Sequence, residues 1–306
     1  MKNAIQLFSF LLALLLMSCG KKQKNLNDKL NIVTTTTMIT DMITAVGGDK
    51  VSVQGLMGSG VDPHLYKASE GDVTKLTQAD VIFYNGLHLE GKLEDVFEKM
   101  KHTNKKTIAL AACLEKEKLI VSENFASNYD PHIWFQIDYW IQCVSYAAAE
   151  LGKLDAKNKE VYLKNASAYI ASLKSLKQEN EKLVSTLPAA KRILITAHDA
   201  FNYFGKLYDF QVVGLQGLST ATEAGVQDVQ NLANFIIKNN VKAIFVESSV
   251  PKRTIEALQA SVQSKNHEVI IGGELFSDAL GTANTPEATY VGMYAHNMST
   301  IVNGLK

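Results

Sequence analysis

The chain has 306 residues, and its 31 Lys and Arg balance 31 Asp and Glu. This neutrality argues against a nucleic-acid partner, because binding to the phosphate backbone needs an excess of basic side chains. The length exceeds what one hydrophobic core serves comfortably, so we expect two domains.

The first twenty residues have the pattern of a bacterial export signal. Lys2 precedes an apolar run from Ala4 to Met17, which is shorter than the roughly 20 residues of a membrane-spanning helix. The run ends in "LLMSC", which resembles a lipobox, where the signal is cut before the cysteine and the cysteine receives lipid. We therefore predict a signal peptide at 1–18 and a lipid-anchored linker at 19–29 that begins with lipidated Cys19. An ordinary signal or a buried cysteine is the alternative.

These features predict an exported cell-envelope lipoprotein, periplasmic or on the outer face of the membrane, that touches the membrane only through its lipid. Nothing after Cys19 resembles a membrane span. Two further cysteines, Cys113 and Cys143, lie in apolar sequence. A disulfide is permitted outside the cytosol, and two buried thiols are at least as compatible with this setting.

From Leu30 onward, short β-branched runs alternate with helical stretches, which predicts βα units with parallel strands. The predicted strands of the first half are "NIVTTTT", "VSVQGLMG", "VIFYNG" and "KTIAL", with helices at "ITDMITAVGG" and "EGDVTKLTQA". The rhythm restarts after Pro188 with strands at "RILITAH", "QVVGLQG", "AIFVES" and "EVIIGG". Helices are predicted at "AFNYFGKLYD", "VQNLANFIIKNN", "TIEALQASVQ" and the closing "EATYVGMYAHNMSTIVNGL".

A long helical pattern without glycine separates the two halves. Its apolar residues recur at steps of four and three: Tyr162, Ala166, Tyr169, Leu173 and Leu176. This predicts one amphipathic connecting helix at 158–187. The predicted fold class is therefore α/β with two lobes, at 30–157 and 188–306, each a parallel sheet with flanking helices, joined by one long rigid helix.

The tripeptide Asp-Pro-His occurs twice, at 62–64 and 130–132, in a chain with five prolines and seven histidines. Proline fixes its own φ and pushes the preceding residue into extended conformations, so the following histidine leaves the loop at a defined angle. Little entropy is then left to lose on coordination. Each aspartate is a candidate acceptor for nearby backbone or for a ligand imidazole. One such motif is typical of an ordinary turn, whereas two of them favour metal binding.

Four side chains are expected to converge between the lobes, because ligands bind beyond the carboxyl ends of parallel strands. His198 ends the strand "RILITAH", and Asp278 follows "EVIIGG" by a few residues. His64 follows "VSVQGLMG" through a loop, and His132 opens a helical stretch. Two side chains would come from each lobe.

Three imidazoles and one carboxylate form a nitrogen-rich site for a divalent transition metal and would serve calcium or magnesium poorly. Four such donors can close a tetrahedral shell around zinc, with the carboxylate able to become bidentate. A closed shell holds a metal without offering it to a substrate, so no catalytic residue is predicted.

The chain resembles the metal-binding cluster of ABC-transporter solute-binding proteins, the zinc and manganese receptors, and its TroA-like members in particular. The resemblance covers nearly the whole mature chain and rests on motifs in the same order: "VTTTTMITDMITAVGGD", "GLMGSGVDPHLYKASEGDVTKL", "ADVIFYNGLHLEG", "DPHIWF", "TAHDAFNYFGKLYDFQVVGLQGLST", "AIFVESSV" and "GGELFSDALG". It implies two lobes joined by one backbone helix, limited closure on binding, and delivery of the metal to a membrane permease. It also implies the ligands His64, His132, His198 and Asp278.

Two features of the chain refine the choice of metal, and one residue departs from the family pattern. Manganese receptors of the family typically carry glutamate where this chain has His198, and a nitrogen donor shifts preference toward zinc. The segment from His102 to Asp130 lacks the His-rich acidic loop of many dedicated zinc receptors, which leaves manganese or ferrous iron open as a second cargo. Gln136 stands where an aspartate is usual, so the local hydrogen bond of that aspartate is not carried over to this chain.

Other functions and residues fit the sequence less well. A zinc hydrolase would need an open coordination position and a general base, and the chain has no HExxH motif. A surface adhesin has no residue that specifically supports it. His88 is expected in a structural or outer role, since four donors already fill the shell, and Glu223 and Glu247 are candidates to support the ligands. We expect a monomer with an ABC permease as its partner.

Overall fold

The computed structural model describes residues 29–102, 105–123 and 125–306. The predicted signal peptide, Cys19 and all but the last residue of the predicted linker lie outside this part of the chain. Within it, no helix is both long enough and apolar enough to cross a membrane.

The first half of the described chain forms one parallel sheet with the strand order β2-β1-β3-β4. The strands are β1 (Leu30–Thr34), β2 (Val51–Gly55), β3 (Val81–Tyr84) and β4 (Lys106–Ala109). Successive strands are connected by α1 (Thr37–Gly47), α2 (Glu70–Gln78) and α3 (Glu94–His102). Parallel neighbours require such crossover connections, since a tight turn cannot return the chain to the same edge.

The second half repeats the alternation with two parallel pairs, β5-β6 and β7-β8, and β5 lies beside β7. The strands are β5 (Ile193–His198), β6 (Gln211–Gln216), β7 (Ala243–Glu247) and β8 (Ile270–Leu275). We number the helices between the halves α4 (Ile137–Leu154) and α5 (Lys159–Ser185), and those that follow α6 (Asn202–Tyr208), α7 (Val226–Lys238), α8 (Arg253–Gln263) and α9 (Tyr290–Leu305).

The 27-residue helix α5 is the predicted connecting helix, and it packs against α1, α4 and α9. Its buried side chains include Tyr162, Leu173 and Leu176, which are members of the predicted apolar stripe. Because α1 belongs to the first half and α9 to the second, this helix contacts both. The predicted fold class, parallel sheets with flanking helices joined by a long helix, is confirmed.

One large hydrophobic core takes residues from both halves. It includes Trp134 and Trp140, which precede α5, and Tyr290 and Tyr294 from α9, all fully buried. The hydroxyl of Tyr290 donates to the Trp134 carbonyl at 2.6 Å, and that of Tyr294 donates to the Phe135 carbonyl at 2.8 Å. The segment directly after His132 is therefore fastened to the last helix of the chain.

Cys113 and Cys143 are free thiols, with 3.9 Å between their sulfur atoms. A disulfide requires a sulfur–sulfur distance of about 2.05 Å. Of the two alternatives left by the sequence, the structure has the pair of thiols.

Candidate metal centre

The structure brings together the four side chains predicted as ligands: His64, His132, His198 and Asp278. One nitrogen or oxygen atom of each lies within 4.8 Å of those of the other three. All four side chains are buried. Two come from segments before α5 and two from segments after it, so residues far apart in sequence meet at one point.

His64 lies in the loop that follows β2, and Asp62 shapes that loop. The Asp62 Oδ1 accepts the backbone N–H of His64 at 2.8 Å, which closes a turn across Pro63. The other carboxylate oxygen accepts a hydrogen bond from the hydroxyl of Thr220, in the loop after β6. Asp62 therefore fixes the turn and joins the two halves of the chain, while the His64 Nε2 lies 3.3 Å from that of His132.

His132 has the same turn with an additional bond to its ring. The Asp130 Oδ1 accepts the backbone N–H of His132 at 2.9 Å and also faces its ring Nδ1 at 2.8 Å. With Nδ1 as the donor, the lone pair lies on Nε2, which faces the other three side chains. Asp130 is itself held by the amide of Asn202 at 3.0 Å and, through its carbonyl, by the hydroxyl of Tyr203.

His198 is the last residue of β5, and Glu247 at the end of neighbouring β7 holds it. One oxygen of Glu247 accepts the backbone N–H of His198 at 2.9 Å, and the other lies 2.6 Å from the ring Nδ1. Both residues are fully buried. This arrangement also directs Nε2 toward the cluster, so Glu247, a candidate from the sequence, supports a proposed ligand directly.

Asp278 follows β8 and places its carboxylate between two of the imidazoles. Its Oδ2 lies 3.3 Å from the His198 Nε2, and its Oδ1 lies 3.7 Å from the His132 Nε2. The hydroxyl of Ser249 donates to Oδ2 at 3.2 Å. The adjacent Ser277 carbonyl accepts the indole N–H of Trp134 at 3.0 Å, which ties this loop to the segment after His132.

Burial and the neighbouring charges shift the pKa values of the clustered side chains in different directions. Although burial opposes its charged form, Glu247 and Asp278 raise the pKa of His198 well above its ordinary value. Burial likewise opposes ionisation of Asp278, yet the imidazole of His198 holds its pKa well below the usual range. Burial lowers the pKa of His64 to about 3, so that this imidazole is neutral, the form that binds metals.

Two atoms of the cluster lack a well-directed hydrogen bond. The His198 Nε2 and the Asp278 Oδ1 are buried among the described residues without a hydrogen-bond partner, although both lie close to other cluster atoms. Buried polar groups are nearly always paired, and an exception calls for an explanation such as an ion. Three nitrogen donors and one carboxylate within 4.8 Å of one another fit a divalent transition metal.

The remaining candidates lie elsewhere. Glu223 is exposed and lies 3.4 Å from the guanidinium of Arg253, so it does not support the ligands. His88 is outside the group of four and bonds Glu94 through Nδ1. Gln136 immediately precedes α4 without capping it, and its buried Oε1 has no hydrogen-bond partner among the described residues.

Three supporting residues were not predicted from the sequence: Asn202, Thr220 and Ser249. Each reaches a carboxylate that is at least 29 positions away along the chain, as the bonds to Asp130, Asp62 and Asp278 show. No local pattern signals such a bond. Position was the only available signal: Thr220 and Ser249 lie in loops that follow predicted strands of the second half, and Asn202 begins α6 shortly after another.

Comparison with known proteins gives consistent matches over nearly the whole chain. The model of the family described as ZnuA, zinc-uptake complex component A, periplasmic, matches residues 32–304. The manganese-binding lipoprotein MntA of Bacillus subtilis is 44% identical over 293 residues, which cover 95% of each chain. The zinc-binding protein TroA of Treponema pallidum is 44% identical over 286 residues, with 94% of this chain and 92% of that protein covered. The solved structure of TroA superposes with a TM-score of 0.88 over 91% of this chain and 99% of that one.

Proposed function

We propose that this chain, which belongs to the ZnuA family of periplasmic zinc-uptake components, is an extracytoplasmic receptor. The proposed metal ligands are His64, His132, His198 and Asp278. The chain is a metal-binding solute-binding protein of the ABC-transporter class, as its relatives are. Such proteins bind their substrate for transport, and the chain is not an enzyme. The zinc hydrolase considered from the sequence is therefore excluded by family membership.

One observation carries the choice of ligands. Four buried donor atoms from four separate segments lie within 4.8 Å of one another, and two of them have no hydrogen-bond partner. Leaving a buried carboxylate oxygen and an imidazole nitrogen unpaired costs about 1–3 kcal/mol each, a cost that coordination of a cation would remove. Here the metal ion is the cargo rather than a resident cofactor.

We infer that zinc is the preferred cargo, with manganese or ferrous iron as a second one. The two relatives compared above share the same 44% identity with this chain, and one is named for manganese and the other for zinc, so identity does not discriminate. The donor set favours zinc, because four donors that include three imidazoles suit its tetrahedral preference. Glutamate at position 198 would instead supply the oxygen that manganese prefers.

The route of the protein and its metal is also part of the proposal. A signal peptide at 1–18 and lipidation of Cys19 would place the chain on the cell envelope, with 19–29 as a tether. The lobes at 30–157 and 188–306 would bind the metal as a monomer and deliver it to the permease of an ABC importer. The similarity to MntA, which is named a lipoprotein and is matched over 95% of this chain, supports the anchor.

Metal analysis of the purified mature chain tests this function. We expect about one divalent ion per chain, removed by a chelator and restored by zinc, with zinc bound more tightly than manganese in competition calorimetry. His64→Ala and His198→Ala should abolish stoichiometric binding, whereas His267→Ala, which removes an imidazole remote from the cluster, should not. Absence of a bound ion, or equal affinity in all three variants, would refute the assignment.

The anchor needs a separate measurement. Cys19→Ser should release the chain from the membrane fraction of the cells that produce it without changing metal affinity. Retention of that variant in the membrane fraction would contradict lipidation at Cys19.

A further inference from the structure

A small cavity reaches the metal centre on the His64 side. It has a volume of about 130 Å³, and His64, His88 and Phe125 lie in its wall together with Lys92 and Ser219. The exposed fraction of His64 is 5%, against 0–1% for the other three side chains of the cluster. The cavity therefore meets the cluster at the one proposed ligand that retains measurable exposure.

The second imidazole of this wall, His88, is held with its Nε2 available. Its Nδ1 lies 2.6 Å from Glu94, and about a third of the side chain is exposed. With Glu94 accepting from Nδ1, the lone pair lies on Nε2, as in the imidazoles of the cluster. A Cβ at Gly91 would lie only 2.7 Å from this Nε2, so the glycine keeps the nitrogen uncovered.

Phe125 packs against both imidazoles. Its ring is edge-on to that of His88 with 6.0 Å between centroids, and edge-on to that of His64 with 6.5 Å. All three rings lie in the wall of the small cavity, whose lining therefore contains the partly exposed imidazole of His88 and the buried imidazole of a proposed ligand.

The backbone at His88 is held in an uncommon conformation. Leu87 has φ 54° and His88 has φ 62°, so two consecutive residues other than glycine are left-handed. Each such residue carries a conformational cost that the surrounding structure must offset, and such residues concentrate at functional sites. The backbone therefore fixes the point from which the His88 side chain extends into the wall of the cavity.

His88 also lies in the wall of a larger pocket of about 410 Å³. Its wall includes the carboxylates of Glu94, Asp95 and Glu98, and the lining that the structure describes contains no Lys or Arg. A concave surface of one sign raises the local concentration of the opposite ion. His88 is shared by this acidic pocket and by the cavity that touches His64.

We propose that His88, oriented by Glu94, is a transient ligand for divalent transition metal ions that pass between solvent and His64. The inference rests on the proposed metal-receptor function. An imidazole nitrogen binds zinc, ferrous iron and manganese, with a preference that falls in about that order as the ion becomes harder. Because His88 is partly exposed, the ion can leave it again. A ligand used only during passage lowers the barrier in both directions, so it changes both rates and leaves the equilibrium affinity unchanged.

Rapid-mixing kinetics of the mature chain tests this role with Zn²⁺ and Mn²⁺ as the probes. Trp134 supplies the signal, because its ring centroid lies 5.2 Å from that of His132. His88→Asn is the preferred variant, since asparagine tolerates positive φ but lacks the ring nitrogen. We expect association, and dissociation into excess chelator, to slow together by about tenfold, while the dissociation constant stays within about twofold.

Three further variants sharpen the test. His267→Asn removes an imidazole far from the cavity and should leave both rates unchanged. Glu94→Gln keeps an acceptor for Nδ1 but removes charge, and should slow both rates by a smaller factor. Lys92→Gln removes the basic side chain of the cavity wall and should speed association.

The outcomes separate this proposal from the proposed function. Unchanged rates in a correctly folded His88→Asn chain that still binds metal would overturn the transient ligand alone. The same conclusion would follow if only dissociation changed, because His88 would then stabilise the bound state. A wild-type chain that bound neither ion would overturn the proposed function and the transient ligand with it.

Discussion

The two Asp-Pro-His segments have the same sequence and the same turn, yet their aspartates act differently. In both, the carboxylate accepts the backbone N–H of the histidine two positions later, at 2.8 Å in one and 2.9 Å in the other. Asp130 uses the same oxygen to face the ring of His132, whereas Asp62 is bonded instead to Thr220 from the second half. The tripeptide dictates the turn, and tertiary partners decide whether it also orients the imidazole.

The second half achieves the effect of Asp130 without the tripeptide. Glu247 accepts both the backbone N–H and the ring Nδ1 of His198 from a neighbouring strand. Two of the three imidazoles therefore have a carboxylate on Nδ1, one local in sequence and one 49 positions away. Among the residues that the structure describes, no carboxylate bonds the ring Nδ1 of His64, so the three histidines are not equivalent.

Among changes to these residues, loss of an imidazole should weaken zinc binding most. His132→Ala and His64→Ala should each weaken zinc binding by more than about 100-fold, beyond the range expected when a supporting group is lost. Competition titration against a chelator of known affinity measures the change. A smaller loss for His132→Ala than for Asp130→Ala would show that His132 is not a ligand.

The supporting carboxylates should rank next and should differ from one another. Asp130→Ala and Glu247→Ala should each weaken zinc binding by about 10- to 100-fold, because the ring loses the group that orients it. Asp62→Ala should cost less than about tenfold, since its oxygens hold backbone and Thr220 rather than a ring. Equal losses for Asp62 and Asp130 under the same titration would remove the distinction between the two copies.

The hydrogen bond from Thr220 to Asp62, which joins the two halves, should affect the free energy of unfolding rather than the affinity for zinc. Thr220→Val keeps the side-chain shape but removes the hydroxyl that donates to Asp62. We expect the free energy of unfolding to fall by about 1–2 kcal/mol, because a partly buried carboxylate loses a partner. Urea unfolding of the metal-free chain measures this. Thr222→Val, two positions along the same loop, is the matched control and should change stability less.

The prolines should have the smallest effect. Pro63→Ala and Pro131→Ala free the backbone of the unbound loop, and each should cost about 0.4–1 kcal/mol, a fewfold loss in zinc affinity. The loss should appear mainly in the entropy measured by calorimetry. A cost as large as that of removing a histidine would mean that the prolines do more than restrict the loop.

Hydrophobic periodicity predicted most of the fold, and the differences have local causes. The prediction omits α3, whose buried Phe97 and Met100 are separated by charged residues. It ends the last strand at Gly273, although β8 continues to Leu275. The ring of Phe245 and the side chain of Thr300 occupy the space where side chains at Gly272 and Gly273 would lie, so these glycines serve close packing inside the strand rather than its end.

The candidate site could be predicted as a set of positions but not as a network. His198 and Asp278 follow from the rule that loops after parallel strands converge, and the repeated tripeptide draws attention to His64 and His132. Asp130 orients a ring and is bonded by Asn202, whereas Asp62 does not orient a ring and is bonded by Thr220. Those partners are 72 and 158 positions away, so no window of sequence contains both members of either pair.

The hydroxyl bonds from α9 to the segment after His132 have a mechanical consequence. Tyr290 and Tyr294 hold the carbonyls of Trp134 and Phe135, and the indole of Trp134 holds the loop of Asp278. Asn85 supplies a bond from the first half, to the Pro131 carbonyl. Asp41 in α1 accepts the backbone N–H of Tyr290 at 3.2 Å, so α9 is also bonded to the first half. His132 therefore stands on a segment that is braced from both halves, whereas the loop of His64 is joined to the second half through the bond of Thr220 to Asp62.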